Sequence, residues 1–127
     1  MRYLLDTHTS FWYFKATPEL PAKIKAIIDD QDNHIYVSIV SVWEIAIKRS
    51  LGRENTLCSA QEFIDEVVAS GFELLTLKPD HVRPVETLPY HHRDPFDRLL
   101  ICTAMAEDMT FLSADENVPK YEVKWLW

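Results

Sequence analysis

The stretch "HHRDPFDRLLICTA", residues 91–104, opens with two acids and ends almost wholly apolar. Asp94 directly before Pro95 reads as a helix cap with proline at the first turn, where a missing N–H costs nothing. The helix then runs on through "DPFDRLLICTAMAED", residues 94–108, with Leu99, Leu100 and Ile101 carrying the packing. That reading places Asp97 in the first turn, pointed towards a pocket at the start of a core helix. A carboxylate there calls for a compensating charge, so the same stretch poses a question about function.

Working outward, short apolar runs alternate with helical patterns. "RYLLDT" (2–7), "HIYVS" (34–38), "FELLTL" (72–77), "MTFLSA" (109–114) and "YEVKWLW" (121–127) read as strands, rich in apolar, β-branched and aromatic residues. "HTSFWYFKA" (8–16) reads as a helix or turn, and "LPAKIKAIIDD" (20–30) as a helix with Pro21 near its start and Ile24, Ile27 and Ile28 at helical spacing. "SVWEIAIKRSLG" (41–52) is expected to open at Ser41 and stop near Gly52. In "SAQEFIDEVVASG" (59–71), Ser59 and Glu62 have capping-box spacing and Gly71 is a terminator. "KPDHVRPVETL" (78–88) is a short helix complicated by Pro84, and "YHHR" (90–93) is loop. The alternation predicts an α/β fold: a short parallel sheet of four or five strands, flanked by helices on both faces. Residues 1–127 are expected to form one domain, without repeats or linkers.

Composition narrows the class. Of 127 residues 47% are hydrophobic and only 2 are glycine, which excludes a disordered tail or a repeat array. Cys58 and Cys102 form no CxxC pair, and reduced thiols point to the cytoplasm. Asp6 interrupts the first apolar run before a signal peptide could form, and charges break every later candidate for a membrane span, so a soluble protein is expected. A net charge of −7 repels polyanions at long range, yet leaves room for a nucleic-acid enzyme if the acids converge on a divalent cation.

Four acids share a topological address. Asp6 ends the first strand, Glu44 falls in the first turn of the helix after the second, Asp97 opens the helix discussed above, and Asp115 lies just beyond "TFLS". In an open parallel sheet ligands bind outside the carboxyl ends of the strands, where all four belong. Each has a structural reading too. Ser41 with Glu44, and Ser113 with Glu116, have capping-box spacing; Glu44 can pair with Lys48; Asp94 with Asp97 looks like a cap plus a dipole-favoured acid. Asp6 alone lacks an obvious local partner. Two carboxylates about 4 Å apart repel by roughly 4 kcal/mol at an effective dielectric near 20, a cost that a cation removes. Oxygen donors suit a hard ion, Mg²⁺ or Mn²⁺.

At these residues the chain resembles the PIN-domain ribonucleases, and among them the VapC-type toxins of toxin–antitoxin pairs. The matching pieces are "LLDTH" (4–8), "SVWEIAIK" (41–48), "LPYHHRDPFDRLLICTA" (88–104) and "FLSADE" (111–116), closing with "YEVKWLW". They lie in the family's order along nearly the whole chain. The central piece is similar to the subgroup signature "H.DPFDR.LIAQA", with Cys102, Thr103 and Ala104 in place of its last three residues, and Ser113 stands where the family often has threonine. The resemblance implies a Mg²⁺- or Mn²⁺-dependent endoribonuclease, a cognate antitoxin partner and a homodimer. By it Asp6, Glu44, Asp97 and Asp115 form the catalytic and metal-binding quartet, with Asp6 and Asp97 the most direct ligands and Asp94 a cap. The aromatic run "FWYF", Phe11 to Phe14, lies by the same resemblance near an antitoxin groove, although core packing accounts for at least half of it.

Basic residues near the acids, Lys48, Arg49, Arg93 and Arg98, are candidate RNA contacts or ordinary helix surface. His91 and His92 beside Asp94 suggest zinc, but no third ligand has metal-site spacing. A phosphoacceptor signalling domain would need neighbouring acids after the first strand, where Thr7 and His8 stand, and an aspartyl-nucleophile phosphatase would need an acid in place of His8. A catalytically silent PIN scaffold acting as a binding module keeps all four acids and differs only in activity.

Overall fold

A computed structural model describes residues 1–52 and 58–127 of the chain. Among the described residues five strands form one sheet: β1 (Arg2–Leu5), β2 (His34–Ser38), β3 (Glu73–Leu75), β4 (Thr110–Leu112) and β5 (Trp125–Leu126). Their order is β3-β2-β1-β4-β5, and every neighbouring pair is parallel. The helices are α1 (Thr7–Lys15), α2 (Ala22–Asp29), α3 (Ile39–Ser50), α4 (Ala60–Ala69), α5 (Pro79–Val82) and α6 (Pro95–Glu107). The chain leaves β1 towards β2 and β3 on one side, then crosses to β4 on the other. A crevice therefore opens between the carboxyl ends of β1 and β4, the usual ligand position in such sheets.

Alternation along the strands divides the core in two. Tyr3, Leu5, Ile35 and Val37 face one side, against Ile24 and Ile28 of α2, Val42 and Ile45 of α3, and Phe63 and Val67 of α4. Leu4 and Phe111 face the other, against Leu100, Ile101 and Ala104 of α6. Each face buries apolar side chains worth roughly 1.5–3 kcal/mol apiece, which is why a sheet this short holds together. Among the described residues no helix is long and apolar enough to cross a membrane.

Punctuation follows the sequence in most places. The Ser59 and Glu62 capping box forms, Gly52 and Gly71 both take positive φ (68° and 76°) just beyond α3 and α4, and Asp94 caps α6. Two expectations need correction. α3 starts earlier than expected: Ser38, the last residue of β2, accepts a hydrogen bond from the Val40 amide at 3.0 Å, leaving Ser41 buried inside the helix. Ser41 and Glu44 are thus not a capping box, and Glu44 lies in the second turn. Ser113 and Glu116 are not one either. The Ser113 hydroxyl accepts from the Asp115 amide and Asp115 Oδ1 from the Asn117 amide, two tight turns that lead into a single 3-10 turn at Val118–Lys120. At Pro84, α5 gives way to a 3-10 turn over Arg83–Thr87.

Candidate metal centre

Asp6 follows β1 directly and has extended backbone (φ −75°, ψ 171°), which makes it the cap of α1. Its Oδ1 accepts from the Thr9 amide at 2.7 Å, so the acid without an obvious partner in the sequence has one three residues on. The Asp6 amide donates to the Leu112 carbonyl at 3.2 Å and Thr9 Oγ1 donates to the same oxygen at 3.1 Å, tying the ends of β1 and β4. Burial raises the Asp6 carboxyl above the usual carboxylate range, while hydrogen bonds from Ser113 and Thr9 act against that rise.

Glu44 is 3% exposed, on the face of α3 that meets the start of α1. Thr7 Oγ1 donates to its Oε1 at 2.8 Å and lies 2.9 Å from the buried Ser41 hydroxyl. Lys48, one turn on, donates to Oε2 at 2.5 Å. Both Glu44 oxygens are therefore held, and its charge is locally balanced.

Asp94 Oδ1 accepts from the amides of Phe96 and Asp97 at 2.9 and 3.2 Å, and the residue itself is exposed. With the first turn so closed, the Asp97 side chain is directed back to the sheet edge. Its carboxyl is pushed up to about 8, first by burial and then by the negative charges of Asp94, Asp6, Glu44 and Asp115. All four acids therefore gather around the carboxyl ends of β1 and β4. They are not equally close. One ligand-type atom each from Asp97, Asp115 and His92 lies within 4.8 Å of the other two. Asp6 and Glu44 stand behind this group, acting on Asp97 by charge.

Sequence spacing offers His92 no third metal ligand. The third ligand comes through space instead, from Asp115 at the end of β4. His92 Nε2 lies 3.8 Å from Asp97 Oδ2 and 3.7 Å from Asp115 Oδ2, and it is buried without a hydrogen-bond partner. Its neighbour His91 is exposed and packs edge-on against Tyr121. Oxygen donors crowded enough to raise one carboxyl to about 8, with an unpartnered imidazole nitrogen facing them, are a donor set that fits a divalent cation.

The basic candidates separate. Arg98 is 3% exposed and donates to the carbonyls of Leu88 and Pro89 at 2.9 and 2.7 Å and to the Tyr121 hydroxyl at 3.3 Å, so it is a structural group, not an RNA contact. Lys48 is bound to Glu44, while Arg49 and Arg93 are exposed. In the aromatic run, Phe11 and Phe14 pack on Phe63, and Tyr13 and Phe14 on Phe72, whereas Trp12 meets Trp127 and His8.

The family model for the PIN domain matches residues 3–124. No curated protein matches at a significant level. Among solved structures, VapBC2 from Rickettsia felis bound to a promoter DNA fragment matches with a TM-score of 0.73 and 16% identity, covering 99% of this chain and 98% of that one. DNA-bound VapBC from Salmonella typhimurium matches at 0.70 and 14%, covering 99% and 97%. FitAcB from Neisseria gonorrhoeae matches at 0.63 and 15%, covering 98% and 96%. At these identities the likeness is one of fold.

Proposed function

Because the chain belongs to the PIN domain family over residues 3–124, we propose that it is a divalent-metal-dependent endoribonuclease and the toxin of a toxin–antitoxin pair. Asp6, Glu44, Asp97 and Asp115 are its catalytic acids. The observation that carries this reading is the convergence of these acids at one sheet edge, where ligand atoms of Asp97, Asp115 and His92 lie within 4.8 Å of one another and burial and neighbouring negative charge raise the Asp97 carboxyl. A folded domain of this size has only about 5–15 kcal/mol of net stability, and such repulsion is tolerated where a bound cation neutralises it.

When bound, a cation of this kind supplies Lewis acidity at the scissile phosphate and acidifies water. The chain's own residues do the rest. Asp97 and Asp115 present unshared carboxylate oxygens at the crevice mouth. Asp6, fixed by Thr9, and Glu44, fixed by Thr7 and Lys48, supply negative charge from behind without freedom to swing away. The hydroxyls beside the acids are engaged, Thr7 with Glu44 and Ser113 with the Asp115 amide, and in this reading water is the attacking group. Arg93 and Arg49, exposed near the acids in sequence, are the remaining candidates for phosphate contacts.

An antitoxin partner is part of this proposal, supported by the likeness in fold to VapBC structures from Rickettsia felis and Salmonella typhimurium, and a homodimer and cytoplasmic action belong to the same proposal. The test is cleavage of end-labelled RNA by purified protein in EDTA, Mg²⁺ and Mn²⁺, beside Asp6→Asn. Cleavage that requires the ion and vanishes in the variant supports the proposal. Cleavage indifferent to both refutes it.

A further inference from the structure

The group at the crevice mouth contains a nitrogen that the four-acid reading leaves without a task. His92 is 11% exposed in its side chain, and its Nε2 is buried with no hydrogen-bond partner. Leaving a buried polar atom unpaired costs roughly 1–3 kcal/mol, so an atom kept that way in a well-packed frame invites a partner. The nearest polar atoms are Asp97 Oδ2 at 3.8 Å and Asp115 Oδ2 at 3.7 Å. Both are too long for hydrogen bonds. Both are also shorter than twice a metal–ligand bond of about 2.1 Å, the widest separation of two donors on one ion.

The ring is held from its other side. His92 Nδ1 lies 2.8 Å from the Tyr121 hydroxyl, which also receives the amides of His91 and His92 at 3.2 and 3.3 Å and Arg98 at 3.3 Å. Arg98 is anchored in turn on the carbonyls of Leu88 and Pro89, so the loop bearing His92 is fixed to α6. In the tautomer that carries its proton on Nδ1, the ring is held at the Tyr121 hydroxyl and the Nε2 lone pair faces the acids, the form a metal ligand needs. A partner of this kind is what orients metal-bound imidazoles generally.

We propose that His92 Nε2 is a direct ligand of the cation shared by Asp97 and Asp115, giving this site a preference for Mn²⁺ over Mg²⁺. The inference rests on the metal-dependent reading above and adds a ligand to it. An imidazole nitrogen is a poor partner for Mg²⁺, which demands oxygen and keeps its waters, and a better one for first-row transition ions. Tyr121 is then a positioning residue acting through His92.

The experiment loads the metal-free full chain with Mn²⁺ and reads nitrogen coupling by pulsed electron paramagnetic resonance, with Mn²⁺ and Mg²⁺ affinities by calorimetry. The wild type should show ¹⁴N coupling. His92→Gln should lose it and bind Mn²⁺ about tenfold more weakly with little change for Mg²⁺, and Tyr121→Phe should lie between the two. Absence of ¹⁴N coupling in the wild type, a result independent of whether any variant folds, overturns the assignment, as does coupling that survives His92→Gln. If Asp97→Asn also leaves Mn²⁺ affinity unchanged, the metal reading of the acids falls with it. If Asp97→Asn abolishes binding while wild-type nitrogen coupling is absent, only His92 is excluded.

Discussion

Removing one negative charge from the crevice should stabilise the metal-free protein, by an amount that grows as pH rises from about 4 to about 8. The Asp97 carboxyl stands at about 8 in the folded chain against an ordinary 3.8, so the folded state holds one more proton than the unfolded state between about pH 4 and pH 8. Stability conferred by the protonated form is full below that window and is lost as pH rises through it. At about 1.4 kcal/mol per unit the shift sets a ceiling of roughly 5–6 kcal/mol. The side chain is 27% exposed, and water and local relaxation reduce that ceiling to roughly 2–3 kcal/mol. For a chain of this length about 1 kcal/mol corresponds to about 4 °C in Tm, so a fall of about 8–12 °C is expected between pH 4 and pH 9.

Asp97→Asn keeps the size and the hydrogen-bonding capacity but carries no charge. Differential scanning calorimetry in EDTA should show both proteins melting together near pH 4 and the variant melting about 8–12 °C higher at pH 9. Some decline should remain in the variant, because burial raises Asp6 as well. Mn²⁺ added at pH 9 should raise the wild type and leave the variant nearly unmoved. Parallel pH profiles for the two proteins in EDTA would refute the reasoning, since they would mean that neither burial nor the other acids raise the Asp97 carboxyl in the folded chain.

Asp6→Asn should abolish RNA cleavage while holding stability within about 0.5 kcal/mol, because asparagine caps a helix as well as aspartate does, whereas Asp6→Ala should lose about 1 kcal/mol as well, read by urea titration. Asp94→Ala should cost about 1 kcal/mol through the lost cap of α6 and still cleave RNA with the same metal dependence, the profile of a cap and not a ligand. Arg98→Met should cost about 3 kcal/mol or more, because it strands the carbonyls of Leu88 and Pro89, and a urea midpoint near wild type would contradict the buried role given to it.

The sheet was legible because its signals are local. Tyr3, Leu4 and Leu5 form a short run buried on both faces, and such a run bounded by an acid has few alternatives to a parallel strand. Strand ends were less so. "FELLTL" yields only Glu73–Leu75 and "YEVKWLW" only Trp125–Leu126, since an edge strand stops where its neighbour stops, and that neighbour is remote in sequence. The start of α3 was misplaced for a related reason. Ser38 and Ser41 are both competent caps by type, and the choice between them is made by β2 ending at Ser38 and by Thr7, which draws Ser41 and Glu44 inward from 34 and 37 residues away.

The site divides along the same line. Asp6, Glu44, Asp97 and Asp115 could be placed at one sheet edge because each follows a strand or opens a helix, and that address is local. His92 could not, because its neighbours are Asp115 and Tyr121, reached only after α6 and β4 have returned the chain to the crevice. Nor could Arg98, whose burial depends on the path of residues 88–90.

Structural and functional readings of these acids are not rivals. Asp6 caps α1 and Asp94 caps α6, with Asp97 in the first turn, so two helix N-termini point their partial positive charge at the crevice. Each such end stabilises a nearby anion by roughly 0.3–1 kcal/mol. Lys48 adds a full charge against Glu44. These terms lighten the repulsion without cancelling it: burial and the neighbouring acids together still hold the Asp97 carboxyl up at about 8, and a cation would relieve the part that comes from charge. A cluster balanced fully by caps and ion pairs would have no use for an ion, and one with neither would tear the sheet edge apart in its absence.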